Sequence, residues 1–178
     1  TRATSDQGMR QRRSGRGACG YHRPEESTQT MAKRSDIISS SASPVMNLFR
    51  KGLLHGAGYD TDRFAARPLI AIANSHTELT TGHSHLDRLA QKVREGIVAA
   101  GGECAEFNVP APCDGVAMAH DGMRFVLAQR DLIADMLETH LRSQPYDGVV
   151  FIAGCDKINP AMMMAMARQI PEANASTR

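Results

Sequence analysis

The fold is decided by one stretch, residues 148–166, which reads GVVFIAGCDKINPAMMMAM. Val149–Ala153 is a short apolar run, which is typical of a strand covered on both faces. Gly154 allows a tight turn because it has no side chain. Asn159 suits the N-cap of a helix, and Pro160 suits its first position. We therefore predict a strand, a polar turn and a helix.

The turn of this unit carries a thiol, a carboxylate and an amine, on Cys155, Asp156 and Lys157. In open α/β sheets, ligands bind in the crevice beyond the carboxyl ends of the strands. Charged side chains are costly to bury without a partner, so three of them in one turn indicate a functional site. The alternative is a surface turn that happens to contain a cysteine.

Two further strand–helix units precede this one. Pro68–Asn74 and Cys104–Val109 have the composition of strands, and Leu86–Ala100 and Arg124–Arg142 have helical periodicity. This alternation predicts an α/β fold, with a three-layer parallel sheet flanked by helices and right-handed crossovers. The helical positions expected to face the sheet are Leu86, Leu89, Ala90, Val93, Ile97 and Ala100, and mostly Phe125, Leu127, Ala128, Leu132, Ile133, Met136, Leu137 and Leu141.

Charge is unevenly distributed along the 178 residues, whose net charge is +2. Residues 1–34 carry a net charge of +5 and the remainder −3. We expect residues 1–34 to be a disordered basic leader, with Met31 as a natural start and an organelle transit peptide as the alternative. The basic residues therefore do not indicate a nucleic-acid surface on the folded part.

Four cysteines are present, and no secretory signal or membrane-spanning segment is recognisable. We therefore predict a cytoplasmic protein, without membrane association, whose thiols are free or bound to metal. Cys104 lies within a predicted strand and is interpreted as core, and Cys19 lies in the leader. Met162–Met166 contains four methionines, which are interpreted as core filling. His140, late in a helix, is interpreted as a surface cation.

The three predicted strands are each followed by a polar loop, at residues 75–85, 112–121 and 155–159. In a parallel sheet these loops emerge at one edge, so their side chains should meet. Two thiolates beside oxygen ligands suggest a soft metal centre next to a hard cation, although the spacing of the cysteines is not that of a zinc site. The candidate residues are His76, Glu78, His83, His85, Cys113, Asp114, His120, Cys155, Asp156 and Lys157.

Two of these candidates, His83 and His85, lie on either side of a predicted helix start. Helix capping and solvent exposure are therefore alternatives to a functional role for both.

Three motifs in these loops resemble one family. They are NSHT…GHSHL at residues 74–86, CDGVAMAHDGM at 113–123 and CDKINP at 155–160. In order and spacing they are similar to the dihydroxy-acid dehydratase / phosphogluconate dehydratase family, over about residues 35–171. The resemblance implies an iron–sulfur hydro-lyase whose amino-terminal α/β cluster-binding domain is residues 35–171, here truncated. Residues 172–178 lack the apolar pattern of the preceding region and are interpreted as a non-native tail.

The resemblance also implies roles for individual residues. Cys155 would bind the iron–sulfur cluster, and Asp114 and Asp156 would face Mg²⁺. Lys157 would join the cation site, as a carbamate in some members, and is the candidate catalytic residue.

One position departs from the pattern of many members that carry a two-iron cluster. They have a cysteine where this chain has Gly82. Cys113 precedes Asp114 instead, as in the phosphogluconate branch, and would supply a thiolate. The cluster could be [2Fe–2S] or [4Fe–4S]. A further cluster cysteine and the base-bearing domain would lie beyond residue 178, so the fragment alone is expected to be inactive.

The reaction implied by the resemblance is dehydration of a 2,3-dihydroxy acid to a 2-oxo acid. The leading expectation is dihydroxy-acid dehydratase of branched-chain amino-acid biosynthesis, acting as a homodimer when full length. The alternative within the class is a sugar-acid dehydratase of the phosphogluconate type. The alternative from another class is a non-catalytic flavodoxin-like binding module with a regulatory thiol.

Overall fold

A computed structural model describes the backbone of residues 33–175 and the side chains of residues 33–169. Three strands alternate with helices along this part of the chain, and two 3₁₀ turns, Arg34–Asp36 and Arg63–Ala65, precede the first strand. The other elements are α1 (Ile37–Ser40), α2 (Pro44–Gly56), β1 (Leu69–Asn74), α3 (Leu86–Ala99), β2 (Glu103–Asn108), α4 (Asp114–Ala117), α5 (Met123–Ser143), β3 (Gly148–Ile152) and α6 (Ile158–Ala175). Within the described residues, no helix combines the length and the apolar character needed to cross a bilayer.

The three strands form one parallel sheet in the order β2-β1-β3. Asn74, the last residue of β1, lies opposite Asn108 of β2 and Ile152 of β3. All three strands therefore end at the same edge of the sheet. The prediction of a parallel α/β sheet is confirmed.

Helices cover both faces of the sheet because successive side chains of a strand point in opposite directions. Ile72 of the central strand packs with Leu86 and Ala90 of α3 on one face. Its neighbour Ala73 packs with Ile133 of α5 and Met162 of α6 on the other face. The three-layer arrangement is therefore as the sequence predicts.

The strand β3 is less covered than its apolar sequence suggested. Only Ile152 is buried, and the other four residues of β3 are half-buried. Among the described strands β3 is an edge strand, with β1 on one side only. The prediction that both of its faces are fully covered is therefore wrong for this part of the chain.

Helix α3 ends as its two glycines predict. Gly101 adopts a left-handed conformation with φ of 88°. Its N–H donates to Val98 O at 3.0 Å, and the N–H of Gly102 donates to Ile97 O at 2.9 Å. This is the Schellman pattern, which uses the last helical carbonyls as acceptors and requires a residue that tolerates positive φ.

Several apolar helix residues that were expected to face the sheet point outward. The buried stripe of α5 is Val126, Ile133, Ala134, Leu137 and Leu141. A helix facing one layer can bury only one stripe, so apolar residues on the opposite side stay exposed. The exposed residues are Leu89 of α3 and Ala100 directly after it, Phe125, Leu127, Ala128, Leu132 and Met136 of α5, and Met163 and Met166 of α6. Met162 is buried, so the core interpretation of the methionines holds for only part of the group.

The helix α6 begins earlier and ends later than predicted. It starts at Ile158, so Asn159 and Pro160 lie in its first turn, and Asn159 N donates to Cys155 O at 2.9 Å. At the other end the helical backbone continues to Ala175. The backbone of residues 172–175 is thus helical, residues 176–178 lie outside the described part, and the interpretation of residues 172–178 as a non-native tail stays a prediction.

The folded region begins before residue 35. The Nζ of Lys33 donates to Phe64 O at 2.9 Å and to Ala65 O at 3.1 Å, and Arg34 opens a 3₁₀ turn. Both residues, which the sequence placed in the leader, therefore belong to the folded region. Residues 1–32 lie outside the described part of the chain, so their predicted disorder stays a prediction.

Candidate functional site

The loops after β1 and β3 touch backbone to backbone at the carboxyl edge of the sheet. A Cβ added to Gly154 would lie 2.5 Å from Gly82 O, and one added to Gly82 would lie 3.2 Å from Cys155 Sγ. Gly154 does not have a positive φ; among the described glycines, Gly58 and Gly101 do. Gly154 is therefore required by the close approach of the two loops, and not by the conformation of the turn.

The thiols of Cys113 and Cys155 come to this same edge. Both cysteines are half-buried and free of disulfides. Burial raises the pKa of Cys155, and the negative charges of Cys113, Asp156 and Asp114 raise it further. Asp114, which directly follows Cys113, lies 3.4 Å from Lys157 Nζ, two residues after Cys155. The loops that carry the two thiols therefore meet at this edge, and the shared role of the thiols stays a prediction.

Lys157 joins the second and third loops through two carboxylates. Its Nζ donates to Asp156 Oδ2 at 2.6 Å and lies 3.4 Å from Asp114 Oδ2. The hydrogen bond from Lys157 lowers the pKa of Asp156, and the hydrogen bond to Asp156, followed by that to Asp114, raises the pKa of Lys157. The lysine is thus held as an ammonium ion, which is the counter-charge of both carboxylates.

Cys104 lies away from this edge, near the amino-terminal end of β2. It is buried at 4% exposure in the core layer shared by the sheet and α3. Its interpretation as a core residue is confirmed.

His83 is fully buried, with no exposed surface. Its Nδ1 lies 3.1 Å from Ser75 Oγ, and its Nε2 has no hydrogen-bond partner among the described residues. Solvent exposure and helix capping were the alternatives to a functional role for His83, and both are wrong. His85, by contrast, is exposed and makes no side-chain cap at the start of α3.

The hydrogen bonds of His76 and His120, two of the remaining candidates, do not involve the thiols. His76 is half-buried and donates its backbone N–H to Asn74 Oδ1, and Glu78 is exposed. The ring of His120 folds back on its own turn, where it contacts Val116 O and the N–H of Gly122.

His140 is also not the surface cation that its position suggested. Its ring centroid lies 4.2 Å from that of Phe107 and 5.9 Å from that of Tyr146. The ring is therefore packed in an aromatic cluster, and its interpretation as a free surface charge is corrected.

The stability of the fold should fall as pH falls below 6.5, in part because of His83. Burial lowers the pKa of His83 from its ordinary 6.5; its contact with Ser75 opposes this, and the charge of His85 adds to it. Below 6.5 the unfolded chain binds a proton that the folded chain binds only at lower pH, so protonation favours unfolding. We expect urea unfolding to show a smaller loss of stability between pH 7 and pH 5 in His83→Asn than in the wild type. The matched control is exposed His85→Asn, and equal pH slopes in all three proteins would contradict the expectation.

The donor chemistry of the edge fits a positively charged group. The carboxylates of Asp114 and Asp156 meet there around Lys157, and Cys113 and Cys155 directly precede these two carboxylates in the chain. Thiolates suit iron–sulfur clusters and carboxylates suit Mg²⁺. Within the described part of the chain, no group of three or more His, Cys, Asp or Glu residues is arranged to hold a metal ion.

Sequence reasoning missed the contacts that hold the loops in place. The Gly82–Gly154 approach joins residues of two different loops, and the Ser75–His83 contact closes the loop after β1 on itself. The available signal was the pair of glycines, each directly before a candidate residue, His83 or Cys155.

Comparison with known proteins identifies the family of the chain. A family model described as the N-terminal region of dihydroxy-acid/6-phosphogluconate dehydratase matches residues 67–173. The dihydroxy-acid dehydratase of Ruminiclostridium cellulolyticum is 46% identical over 135 residues, which are 76% of this chain and 24% of that protein. The enzyme of the same name from Methanothermobacter thermautotrophicus is 48% identical over 118 residues, which are 66% of this chain and 21% of that protein.

The chain thus spans about a quarter of the length of these curated relatives. The family match covers more than half of the chain and includes all three loops of the candidate site. The chain belongs to the dihydroxy-acid/6-phosphogluconate dehydratase family.

Proposed function

We propose that this chain supplies the cluster-binding and magnesium-binding edge of an enzyme that dehydrates a 2,3-dihydroxy acid to a 2-oxo acid. The observation that carries the proposal is the Asp114–Lys157–Asp156 cluster, which joins the loops of Cys113 and Cys155 at one edge of the sheet. The names of the relatives support the same reaction. The relatives that carry this activity in their names are about four times as long as the segment that they share with this chain. The activity is therefore a proposal for this chain.

Cys155 and Cys113 would hold an iron–sulfur cluster, whose iron acts when bound as a Lewis acid on the departing hydroxyl group. The pKa of Cys155 is raised by burial and by the negative charges around it. A cationic group at this edge would reverse that effect, because positive charge favours the thiolate. The Cys155 thiol is therefore expected to stay protonated in the free protein and to lose its proton on binding.

Asp114 and Asp156 would bind Mg²⁺, and Lys157 would hold them in place until the cation arrives. Its ammonium group now bridges the two carboxylates. A divalent cation would replace it as the counter-charge and remove the hydrogen bonds that raise its pKa. The lysine would then be easier to deprotonate, and its neutral amine could add to CO₂ with loss of a proton to give the carbamate that the family resemblance suggests.

The substrate proposed is a branched 2,3-dihydroxy acid of branched-chain amino-acid biosynthesis, because the relatives carry the name dihydroxy-acid dehydratase. A sugar acid is the alternative, since Cys113 directly precedes Asp114 as in the phosphogluconate branch. The two are separated by measuring 2-oxo acid formation from a 2,3-dihydroxy-3-methyl acid and from 6-phosphogluconate, using a reconstituted protein that contains this chain.

The cluster proposal is tested by anaerobic reconstitution, with ferrous iron and sulfide, of a full-length protein that contains this chain and the further cluster cysteine expected beyond residue 178. We expect the wild type to bind iron and to develop visible sulfide-to-iron absorption, and Cys155→Ser and Cys113→Ser to lose most of it. Cys104→Ser is the control, because Cys104 is buried in β2 and does not reach this edge. Iron binding is compared at equal helical circular dichroism, so that unfolded protein is not counted.

A colourless wild type, or equal iron binding by all four proteins, would contradict the proposal. Either result would favour the flavodoxin-like binding module, in which the thiols have no cluster to hold.

A further inference from the structure

We propose that His83 is a positioning residue for the Cys155 loop, held as a neutral imidazole with its proton on Nδ1. In this state it continues a chain of hydrogen bonds from the loop after β1 to the last residue of β3. The inference concerns the folded chain itself and holds whether or not the thiols bind iron.

The direction of the hydrogen bonds follows from the chemistry of Ser75. Its Oγ lies 2.8 Å from Ile152 O, and two oxygens at that distance need a proton between them. A carbonyl oxygen can only accept, so the single hydroxyl proton of Ser75 is used in this bond. Towards His83 Nδ1, 3.1 Å away, Ser75 Oγ can then only accept. The proton of the imidazole is therefore on Nδ1, and Nε2 carries a lone pair.

The environment of Nε2 agrees with this tautomer. His83 is completely buried, and Nε2 has no partner among the described residues. If the proton were on Nε2, that buried N–H donor would have no acceptor among the described residues. At the same time Nδ1 and Ser75 Oγ would face each other as two acceptors. Stranded buried N–H groups are rarer in proteins than under-used acceptors.

The chain of hydrogen bonds ends at the residue that leads into the Cys155 turn. Ile152 O accepts from both the N–H and the hydroxyl of Ser75, at 3.1 Å and 2.8 Å. The Cε1 atom of His83 lies 3.5 Å from the point where a Cβ on Gly154 would stand. The imidazole therefore lies behind the turn, and its neighbour Gly82 faces the Cys155 sulfur.

Two substitutions of His83 separate hydrogen bonding from space filling. His83→Asn places an amide N–H near the position of Nδ1 but leaves a cavity, and His83→Leu fills the space but donates no hydrogen bond. The readout is the alkylation rate of each cysteine by iodoacetamide, followed peptide by peptide by mass spectrometry. Cys104 in β2 is the internal reference, and exposed His85→Leu is the control variant.

We expect Cys155 to react about tenfold faster in His83→Leu, because the loop opens when its anchor is lost, and to stay within about twofold of the wild type in His83→Asn. Ser75→Ala should resemble His83→Leu, and the double variant should be no faster than either single one. Cys104 should react at the same rate in all variants. A purely space-filling role predicts the opposite order of Asn and Leu, and that order would overturn the proposal.

The tautomer is tested directly on the wild-type chain labelled with ¹⁵N. Correlations of the ring carbon protons with the two ring nitrogens identify which nitrogen is protonated, and His83→Asn assigns the signals by removing one set. We expect Nδ1 to be the protonated nitrogen at pH 7. A protonated Nε2 would overturn the proposal even if the alkylation rates agreed with it.

Discussion

Replacing Asp147 with alanine is expected to destabilise the folded chain by ~3–5 kcal/mol. The carboxylate accepts three hydrogen bonds, from Ser35 N at 3.0 Å, Ser35 Oγ at 2.6 Å and Leu69 N at 2.7 Å. Ser35 is completely buried, so its donors would lose their partner without gaining water. The substitution would therefore release the turn Arg34–Asp36 from the start of β1. Urea unfolding, with midpoint and slope fitted separately, measures the loss.

Two comparisons show whether the loss belongs to the carboxylate cluster. Asp62→Ala removes an exposed carboxylate that lies 3.8 Å from Lys51 Nζ, and its effect should be within ~0.5 kcal/mol of zero. Ser35→Ala removes one of the three bonds and should cost ~1 kcal/mol. A loss below ~1 kcal/mol in Asp147→Ala would mean that these bonds do not anchor the amino-terminal segment.

The role of Asp147 could not be predicted from the sequence, whereas the sheet next to it could. Strand and helix periodicity are local properties, and an alternating series of strands and helices has few topologies other than a parallel sheet. Asp147 sits between Tyr146 and Gly148, where an aspartate is an ordinary turn residue. Its partner Ser35 is 112 positions away, so no local pattern reports the contact.

The candidate site was predictable for a related reason. Once the strands are parallel, the loops that follow them must meet at one edge, and Asp114 of the second loop meets Lys157 of the third there. What could not be predicted is how the loops are held. His83 follows a polar loop and precedes a helix, a position where most histidines are exposed, yet it is completely buried.

Helix α5 shows a second limit of sequence patterns. It carries apolar residues on two sides, and Phe125 and Leu132 are more than half exposed whereas Ile133 and Leu137 are buried. Periodicity identifies the helix but does not choose between two apolar stripes. The stripe that becomes buried is the one that meets α6 and the sheet. Which stripe this is depends on the packing of the whole domain.

Alanine at Gly154 is expected to destabilise the chain by ~1–3 kcal/mol and to displace Cys155. The added Cβ would lie 2.5 Å from Gly82 O and 3.3 Å from Gly82 C, both backbone atoms of the facing loop. A flexible side chain could turn away from such a contact, but a backbone carbonyl held in a loop cannot. The loop after β1 or the turn before Cys155 must therefore move, and Cys155 moves with it.

The matched control for this substitution is Gly96→Ala in the interior of α3. No heavy atom lies within 4 Å of the Cβ that it would add, so alanine there should stabilise the chain by ~0.5–1 kcal/mol through helix propensity. Both variants are compared by urea unfolding and by the alkylation rate of Cys155. We expect faster alkylation in Gly154→Ala only.

The sign of the effect at Gly154 decides between two explanations of this glycine. If it served only to give the turn flexibility, alanine would restrict the unfolded chain and stabilise the fold by ~0.4–1 kcal/mol, since φ at Gly154 is not in the left-handed region. If the two loops are locked by close approach, alanine must destabilise the fold. A stabilised Gly154→Ala with an unchanged alkylation rate would show that the loops have room to separate, and the placement of Cys155 beside Gly82 would then have no steric basis.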